Sequence, residues 1–372
     1  MTVEIPEAIR EYLTSGMLLQ DVKDYLDRLI VGEETNKLLL YLLLLQGQSI
    51  IVKGDSSTGK NTLVDKTLQL FPDDEVVTVS SITAKSLRWL ERDSIGIFYI
   101  KELPYEEVQS TFSPFALDLK QVISDKVLTP MFVETGEDTP RTRIRRIRIY
   151  SVIQTTLEYD LPEDIENRVW ILSTDNSANQ TKRVCEYKGL LREVGAEEII
   201  DFELLKDLKH VTEFLFRNKW RVVIPKATKI AAKLAELYPV PRLRRDIDKI
   251  FDLIEAVART HGRTVATTDD IKLAFKLAAP TISYMFRYID PRLEAAYKTF
   301  VEIEDRQVYV TSSDFAKELG VSQTDARRKI RALINAGLIE EVGRGERGIR
   351  LYKSLKQLDK FDFSIIDEIL SE

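Results

Sequence analysis

Gly54-Asp55-Ser56-Ser57-Thr58-Gly59-Lys60-Asn61-Thr62 decides the reading of this chain. The apolar run Ser49-Ile50-Ile51-Val52-Lys53 leads into it, and Leu63-Val64-Asp65-Lys66-Thr67-Leu68 continues at helical spacing. Strand, glycine-rich loop, helix is the context a phosphate-binding loop needs. The two glycines let the backbone curl until successive N–H groups face one anion, and the helix N-terminus adds its positive end. Gly54, Asp55, Ser56, Ser57, Thr58, Gly59, Lys60, Asn61 and Thr62 are therefore the candidate nucleotide-binding residues. Lys60 is the residue to reach the β- and γ-phosphates of ATP. The next residue is ordinarily Ser or Thr, whose hydroxyl binds Mg²⁺. Here it is Asn61.

The rest of the chain bounds the setting. Its 372 residues suffice for two or three domains with ample core. The net charge is −6, with 31% charged residues of both signs interleaved. That balance excludes a protein that coats polyanions with its whole surface, so nucleic-acid contact must come from local basic patches. A single cysteine, Cys185, excludes an intrachain disulfide and points to a reducing, cytoplasmic setting. Met1-Thr2-Val3-Glu4-Ile5-Pro6 lacks the basic and apolar regions of a signal peptide, and the apolar stretch from Leu38 to Leu45 is too short to span a bilayer.

Upstream of the loop, apolar positions recur at helical spacing through residues 7–30, including Ile9, Leu13, Leu19, Val22 and Leu26. They predict an N-terminal helical segment over residues 1–30. Gly32-Glu33-Glu34 then opens a helix to about Leu45 and borders the expected base pocket.

Downstream, strands and helices alternate to about Thr174, which argues for a parallel sheet with crossovers. Ile95-Gly96-Ile97-Phe98-Tyr99-Ile100 is a buried strand ending in Lys101-Glu102. Metal-assisted phosphoryl chemistry wants an Asp there to organise water on Mg²⁺ and a Glu to polarise the attacking water. Lys101 holds the Asp position, leaving Glu102 as the water-polarising candidate. Asn61 and Glu102 are the candidate Mg²⁺ residues. Residues 127–149 read as an inserted β-hairpin carrying Arg141, Arg143, Arg145, Arg146 and Arg148. This densest basic cluster suits phosphate-backbone contact or pairing with carboxylates at a subunit interface. Thr155 or Thr156, at the end of the next strand, would touch the γ-phosphate or the attacking water. Arg168 follows, where an arginine could face a neighbour's phosphates in trans.

From Asp201 the pattern is helical: Phe202 to Trp220, Lys226 to Tyr238, Leu243 to His261 and Thr268 to Tyr288. Arg242, Arg244 and Arg245 compete to report the nucleotide's state from the start of a lid helix, and Arg245 is favoured. Residues 312–352 read as helix, turn, helix and a glycine-rich hairpin, which is a winged helix. Arg327, Arg328, Lys329 and Arg331 lie on its second helix, and Arg344 and Arg347 on the wing. DNA binding and protein–protein packing both remain open for this module.

This order of features resembles the AAA+ ATPases, and more narrowly the helicase portions of phage and plasmid primase–helicases and the minichromosome maintenance helicases. The stretches that carry the resemblance are Gly32-Glu33-Glu34, Gly54 to Lys60, Ile100-Lys101-Glu102, Gln154-Thr155-Thr156, Asn167-Arg168, Arg244-Arg245-Asp246 and Glu255-Ala256-Val257-Ala258-Arg259. It implies an α/β AAA+ P-loop core over residues 31–200, an all-α lid over 201–289 and a winged-helix domain over 290–372. It implies an ATPase working as a ring-shaped homo-oligomer, a hexamer, as a helicase or translocase in DNA replication. Single-stranded DNA would occupy the pore, duplex the winged helix, and a primase or polymerase would be a separate partner. Lys60 and Glu102 would act in cis, Arg168 in trans, and the hairpin would touch DNA. The alternative is an ATP-switched DNA-binding initiator or loader with weak or no hydrolysis, which the departures at Asn61 and Lys101 favour.

Overall fold

The computed structural model describes residues 3–82, 86–102, 113–135, 140–157, 162–238, 241–287, 291–336, 338–345, 348–355 and 364–371. The chain divides into two compact units, residues 1–278 with 364–372, and residues 279–363.

The first unit is built around a helix with almost no polar side. Glu34–Gln46 reads ETNKLLLYLLLLQ, and every residue from Leu39 to Leu45 is buried. A helix that is apolar all round has to be surrounded. Helices Leu18–Asp27, Lys60–Leu68, Phe202–Arg217 and Leu243–Thr260 pack against it. Each fully buried leucine contributes about 1.5–3 kcal/mol. Tyr41 meets Phe71 with ring centroids 5.7 Å apart, and Phe71 meets Phe216 edge-on at 5.6 Å. Gly47 ends the helix in the left-handed region, at φ 72°, and turns the chain toward the sheet.

The strands of the first unit are β1 (Ile50–Lys53), β2 (Val76–Val79), β3 (Ser94–Ile100), β4 (Val127–Leu128), β5 (Met131–Thr135), β6 (Pro140–Ile144), β7 (Ile147–Thr156) and β8 (Trp170–Ser173). The main sheet runs β2-β3-β7-β1-β8, with all these neighbours parallel, and β4 adds antiparallel to β7. This is the mostly parallel sheet with flanking helices that the alternating pattern predicts. β7 alternates buried and exposed residues over its first half and is buried throughout its second, as it passes from the hairpin into the sheet. It lies between β1 and β3. Lys53 registers with Thr156 and Ser173, and Ile100 with Gln154. Lys53, Ile100, Thr156 and Ser173 thus share the carboxyl edge, where open parallel sheets bind ligands.

The four helices after residue 201 form as the spacing predicts, over Phe202–Arg217, Ala227–Leu237, Leu243–Thr260 and Thr268–Arg287. Residues up to 278 join the same compact unit as the sheet. The final helix, Ser364–Ser371, also belongs to this unit rather than to the domain expected over residues 290–372. It packs on Ala227–Leu237, and Lys226 Nζ donates to the Leu370 carbonyl at 2.8 Å. That bond satisfies a carbonyl the helix end leaves open. Among the described residues no helix is long and apolar enough to cross a membrane.

A buried ionic cluster fastens the Leu243–Thr260 helix to the sheet. Lys53, the last residue of β1, pairs with Glu166 at 2.6 Å. Arg242 pairs with Asp246 at 2.8 Å, and Lys249 pairs with Asp246 at 2.9 Å while donating to the carbonyls of Asn167 and Val169. Burial pushes the Lys249 ammonium down to about 8.

Asp252, on the same helix, accepts from Gln48 Nε2 at 2.6 Å. Burial pushes its carboxyl up to about 6. The folded chain therefore holds this proton through a range where the unfolded chain, at 3.8, has released it. The stability this adds is complete below the unfolded value and is lost as pH rises through about 6. Asp252→Asn should gain on wild type across that window, by up to about 3 kcal/mol. Denaturant melts at a series of pH values check this, and a gap that does not change with pH would reject it.

The second unit contains helices Pro291–Glu304, Ser312–Leu319 and Gln323–Asn335, followed by the antiparallel pair β9 (Ile339–Arg344) and β10 (Arg350–Ser354). Thr311 and Asp314 form a capping box, Gly320 closes the first short helix at φ 65°, and Ser322 caps the next. Phe300 packs edge-on against Phe315 at 5.7 Å. Val310 makes an isolated antiparallel bridge to Tyr352 of β10.

Candidate functional site

The loop of residues 54–59 leaves β1 and enters the Lys60–Leu68 helix. Ser57 at φ 66° and Gly59 at φ 82° supply the left-handed turns that curl it. Gly54 has no room for a side chain: a Cβ there would sit 2.5 Å from Thr58 Oγ1 and closer still to Thr174 Oγ1. Thr58 Oγ1 and Thr174 Oγ1 are 2.8 Å apart, and Asn176 Nδ2 donates to Asp55 Oδ2 at 2.9 Å. The end of β8 therefore braces the loop. Lys60 Nζ folds over it and donates to the carbonyls of Gly54 at 2.8 Å and Asp55 at 2.7 Å. The arrangement is a curled loop at a helix N-terminus with an ammonium across its mouth.

The carboxyl edge brings the other expected residues alongside. Thr155 is buried at the end of β7, and its single hydroxyl proton is shared between Asn61 Oδ1, at 2.9 Å, and the Lys101 carbonyl. Thr156 is also buried, and its carbonyl accepts from Gly54 N–H at 3.3 Å. Tyr99 OH donates to the same Asn61 oxygen at 3.2 Å. Burial, with Asp65 close by, raises the Tyr99 phenol above its ordinary value. Lys101 Nζ pairs with Asp65 Oδ2 at 3.0 Å. Glu102 is exposed at the tip of β3 and has no partner among the described residues. Tyr99 and Asp65 escaped the sequence reading. The i, i+4 spacing of Asn61 and Asp65, one turn apart on one helix face, was the available signal.

The segment before the loop is fastened to the same end. The Glu33 carboxylate accepts from the Asp175 N–H at 2.7 Å and from Asn36 Nδ2 at 2.6 Å. Burial raises this carboxyl even so. Gln180 Nε2 donates to the Val31 carbonyl at 2.6 Å, and Arg183 pairs with Glu34 at 2.9 Å. The expected base-pocket segment, Gly32-Glu33-Glu34, thus adjoins residues 174–183, of which Thr174 and Asn176 also brace the loop of residues 54–59.

The expected arginines divide. Arg168 is half-buried and engaged within the chain: Nε donates to the Asp164 carbonyl at 2.8 Å, and Nη1 to Ser124 Oγ. Arg245 is exposed on the Leu243–Thr260 helix, whereas Arg242 is buried in the ionic cluster. The hairpin expected over residues 127–149 is the β5–β6 pair and ends at Ile144, while β7 starts at Ile147, so Arg148 belongs to the main sheet and not to the hairpin. Arg145 is consumed by structure. It donates to Asp93 Oδ1 at 2.9 Å and to the carbonyls of Leu90 and Glu91, capping the turn before β3. Arg146 is exposed. Arg141 and Arg143 lie on β6 opposite Glu134 and Phe132, and their side chains are outside the described residues.

In the second unit, Arg327 and Arg331 are exposed one turn apart on the Gln323–Asn335 helix. With Arg350 of β10 they line a cavity of about 550 Å³ that Ile330 and Tyr352 also line. Arg344 is exposed directly opposite Arg350 in the β9–β10 register. Lys329 faces inward and is buried, and Arg328 pairs with Asp325 at 3.2 Å. The helix has one inward face, and Lys329 shares it with the buried Ala326 and Leu333. Arg347 lies outside the described residues.

Neither a scan against protein-family models nor a search of the curated proteins returned a match to this chain.

Proposed function

We propose that this protein binds ATP at residues 54–62 and uses it as a conformational latch on DNA engagement. This is the initiator- or loader-like form of the AAA+ arrangement, with the second unit serving as a winged-helix DNA contact. The observation that carries this reading is the position of Thr155. Its hydroxyl joins Asn61, on the loop's helix, to the Lys101 carbonyl at the end of β3. A phosphate drawing on Lys60 or Asn61 would therefore be felt at the tips of β7 and β3 together. DNA contact is supported by the exposed arginines at 327, 331 and 344, whose local positive charge suits a phosphate backbone, while Arg350 pairs with Glu341 at 3.2 Å.

The second reading is a ring-shaped ATP-driven helicase or translocase. It is favoured by Glu102, whose exposed carboxylate stands at the strand end where a water-polarising group works. Steady-state ATP turnover with and without single-stranded DNA, alongside DNA affinity with and without ATP, separates the two. The latch predicts a change of about tenfold or more in DNA affinity without DNA-stimulated turnover. Turnover stimulated by DNA and abolished by Glu102→Gln would replace the latch with the motor. If ATP changes neither turnover nor DNA affinity, both readings fail.

A further inference from the structure

The site's donor set disagrees with a protein-held divalent cation. Mg²⁺ takes oxygen ligands in a demanding octahedral geometry and usually keeps one or two protein contacts. The first position that would offer one is Asn61. Its carboxamide oxygen has two lone pairs and already accepts from Thr155 Oγ1 at 2.9 Å and Tyr99 OH at 3.2 Å. The second position, at the end of β3, holds an ammonium in place of a carboxylate. Lys101 Nζ pairs with Asp65 Oδ2 at 3.0 Å and stands 5.8 Å from the centre of the Tyr99 ring. Asp65 is therefore engaged, and of the two expected metal residues, Asn61 and Glu102, only the exposed Glu102 keeps an unpartnered oxygen donor among the described residues. Among the described residues no group of three or more His, Cys, Asp or Glu side chains is arranged to hold a metal.

We propose that this site binds its nucleoside triphosphate without a protein-held metal ion, and that the Lys101 ammonium supplies the positive charge the metal would bring. This rests on the nucleotide-binding reading above. Lys101 and Asp65 are each about one-third exposed, so the ammonium is free to exchange its carboxylate for a phosphate oxygen. Asp65 then acts as a parking partner. It sits one turn beyond Asn61 on the same face of the helix that begins with Lys60. An ammonium is a compact point charge with three donors, so it meets phosphate oxygens directly. Lys60 and Lys101 would approach the phosphates from the loop and from the tip of β3 respectively.

The test is binding of a fluorescent ATP analogue to the full chain, read by anisotropy in buffer with EDTA and in buffer with magnesium. The two dissociation constants for wild type should agree within about threefold. Lys101→Met should weaken binding in EDTA about tenfold or more, and Lys101→Asp should make binding depend on magnesium. Lys60→Ala should weaken it in both buffers. A wild-type affinity that falls about tenfold in EDTA overturns the proposal while leaving the nucleotide site standing. Metal-independent wild-type binding that Lys101→Met leaves unchanged overturns the role given to Lys101. Absence of binding in both buffers overturns this proposal together with the reading beneath it.

Discussion

Replacing Asp246 with alanine is expected to cost the first unit about 3–5 kcal/mol of unfolding free energy. Its side chain is fully buried and pairs at once with Arg242 at 2.8 Å and Lys249 at 2.9 Å. Removing it strands two buried cations whose remaining contacts include backbone carbonyls around Glu166, Asn167 and Val169. The cost lies in that stranded charge rather than in the pairs themselves, since a buried ion pair exchanged whole for apolar side chains is often neutral. The triple variant Arg242→Met, Asp246→Leu, Lys249→Met should therefore recover most of what Asp246→Ala loses. Chemical denaturation of the full chain checks both. A loss below about 1 kcal/mol for Asp246→Ala would mean that these cations reach water, as exposed pairs do.

Lys60→Ala is expected to weaken ATP binding about a hundredfold or more. A charge-assisted hydrogen bond contributes about 1.5–3 kcal/mol, and each tenfold in affinity is about 1.4 kcal/mol. Two such bonds to phosphate account for the loss. The lysine now spends its donors on the carbonyls of Gly54 and Asp55, so the bonds are exchanged and not created from nothing. Because Lys60 is half-exposed, the variant should unfold within about 1 kcal/mol of wild type. Titration calorimetry with ATP reads the effect. An affinity within about twofold of wild type would remove residues 54–62 as the nucleotide site.

The local grammar of the chain was readable wherever a short stretch carries its own physics. The glycines and Lys60 announce a curled loop, the continuous apolar run at residues 95–100 announces a buried strand, and the leucines of Glu34–Gln46 announce a surrounded helix. Residues 178–193 resisted, because a polar helix with only Gln180 buried has no apolar stripe to detect. Basic charge alone misleads in two places. Arg145 and Lys329 look like the neighbours they stand beside, and only their surroundings set them apart: a turn that takes three hydrogen bonds from the one, and a helix face that buries the other.

Sequence alone determined the strand–loop–helix order, the candidate phosphate residues, the odd pair Asn61 and Lys101, and the helical character of residues 202–287. These depend on neighbours within a turn or two, and hydrophobic spacing and glycine placement report such neighbours directly. Only the tertiary structure placed β7 between β1 and β3, so that Thr155 touches both Asn61 and Lys101, residues 94 and 54 positions away. It alone showed Lys101 facing Asp65, and Lys53 buried against Glu166. Strand order and charge pairing are contacts across long stretches of chain. Their energies depend on burial and mutual distance, and neither quantity is written in the spacing of residues along the sequence.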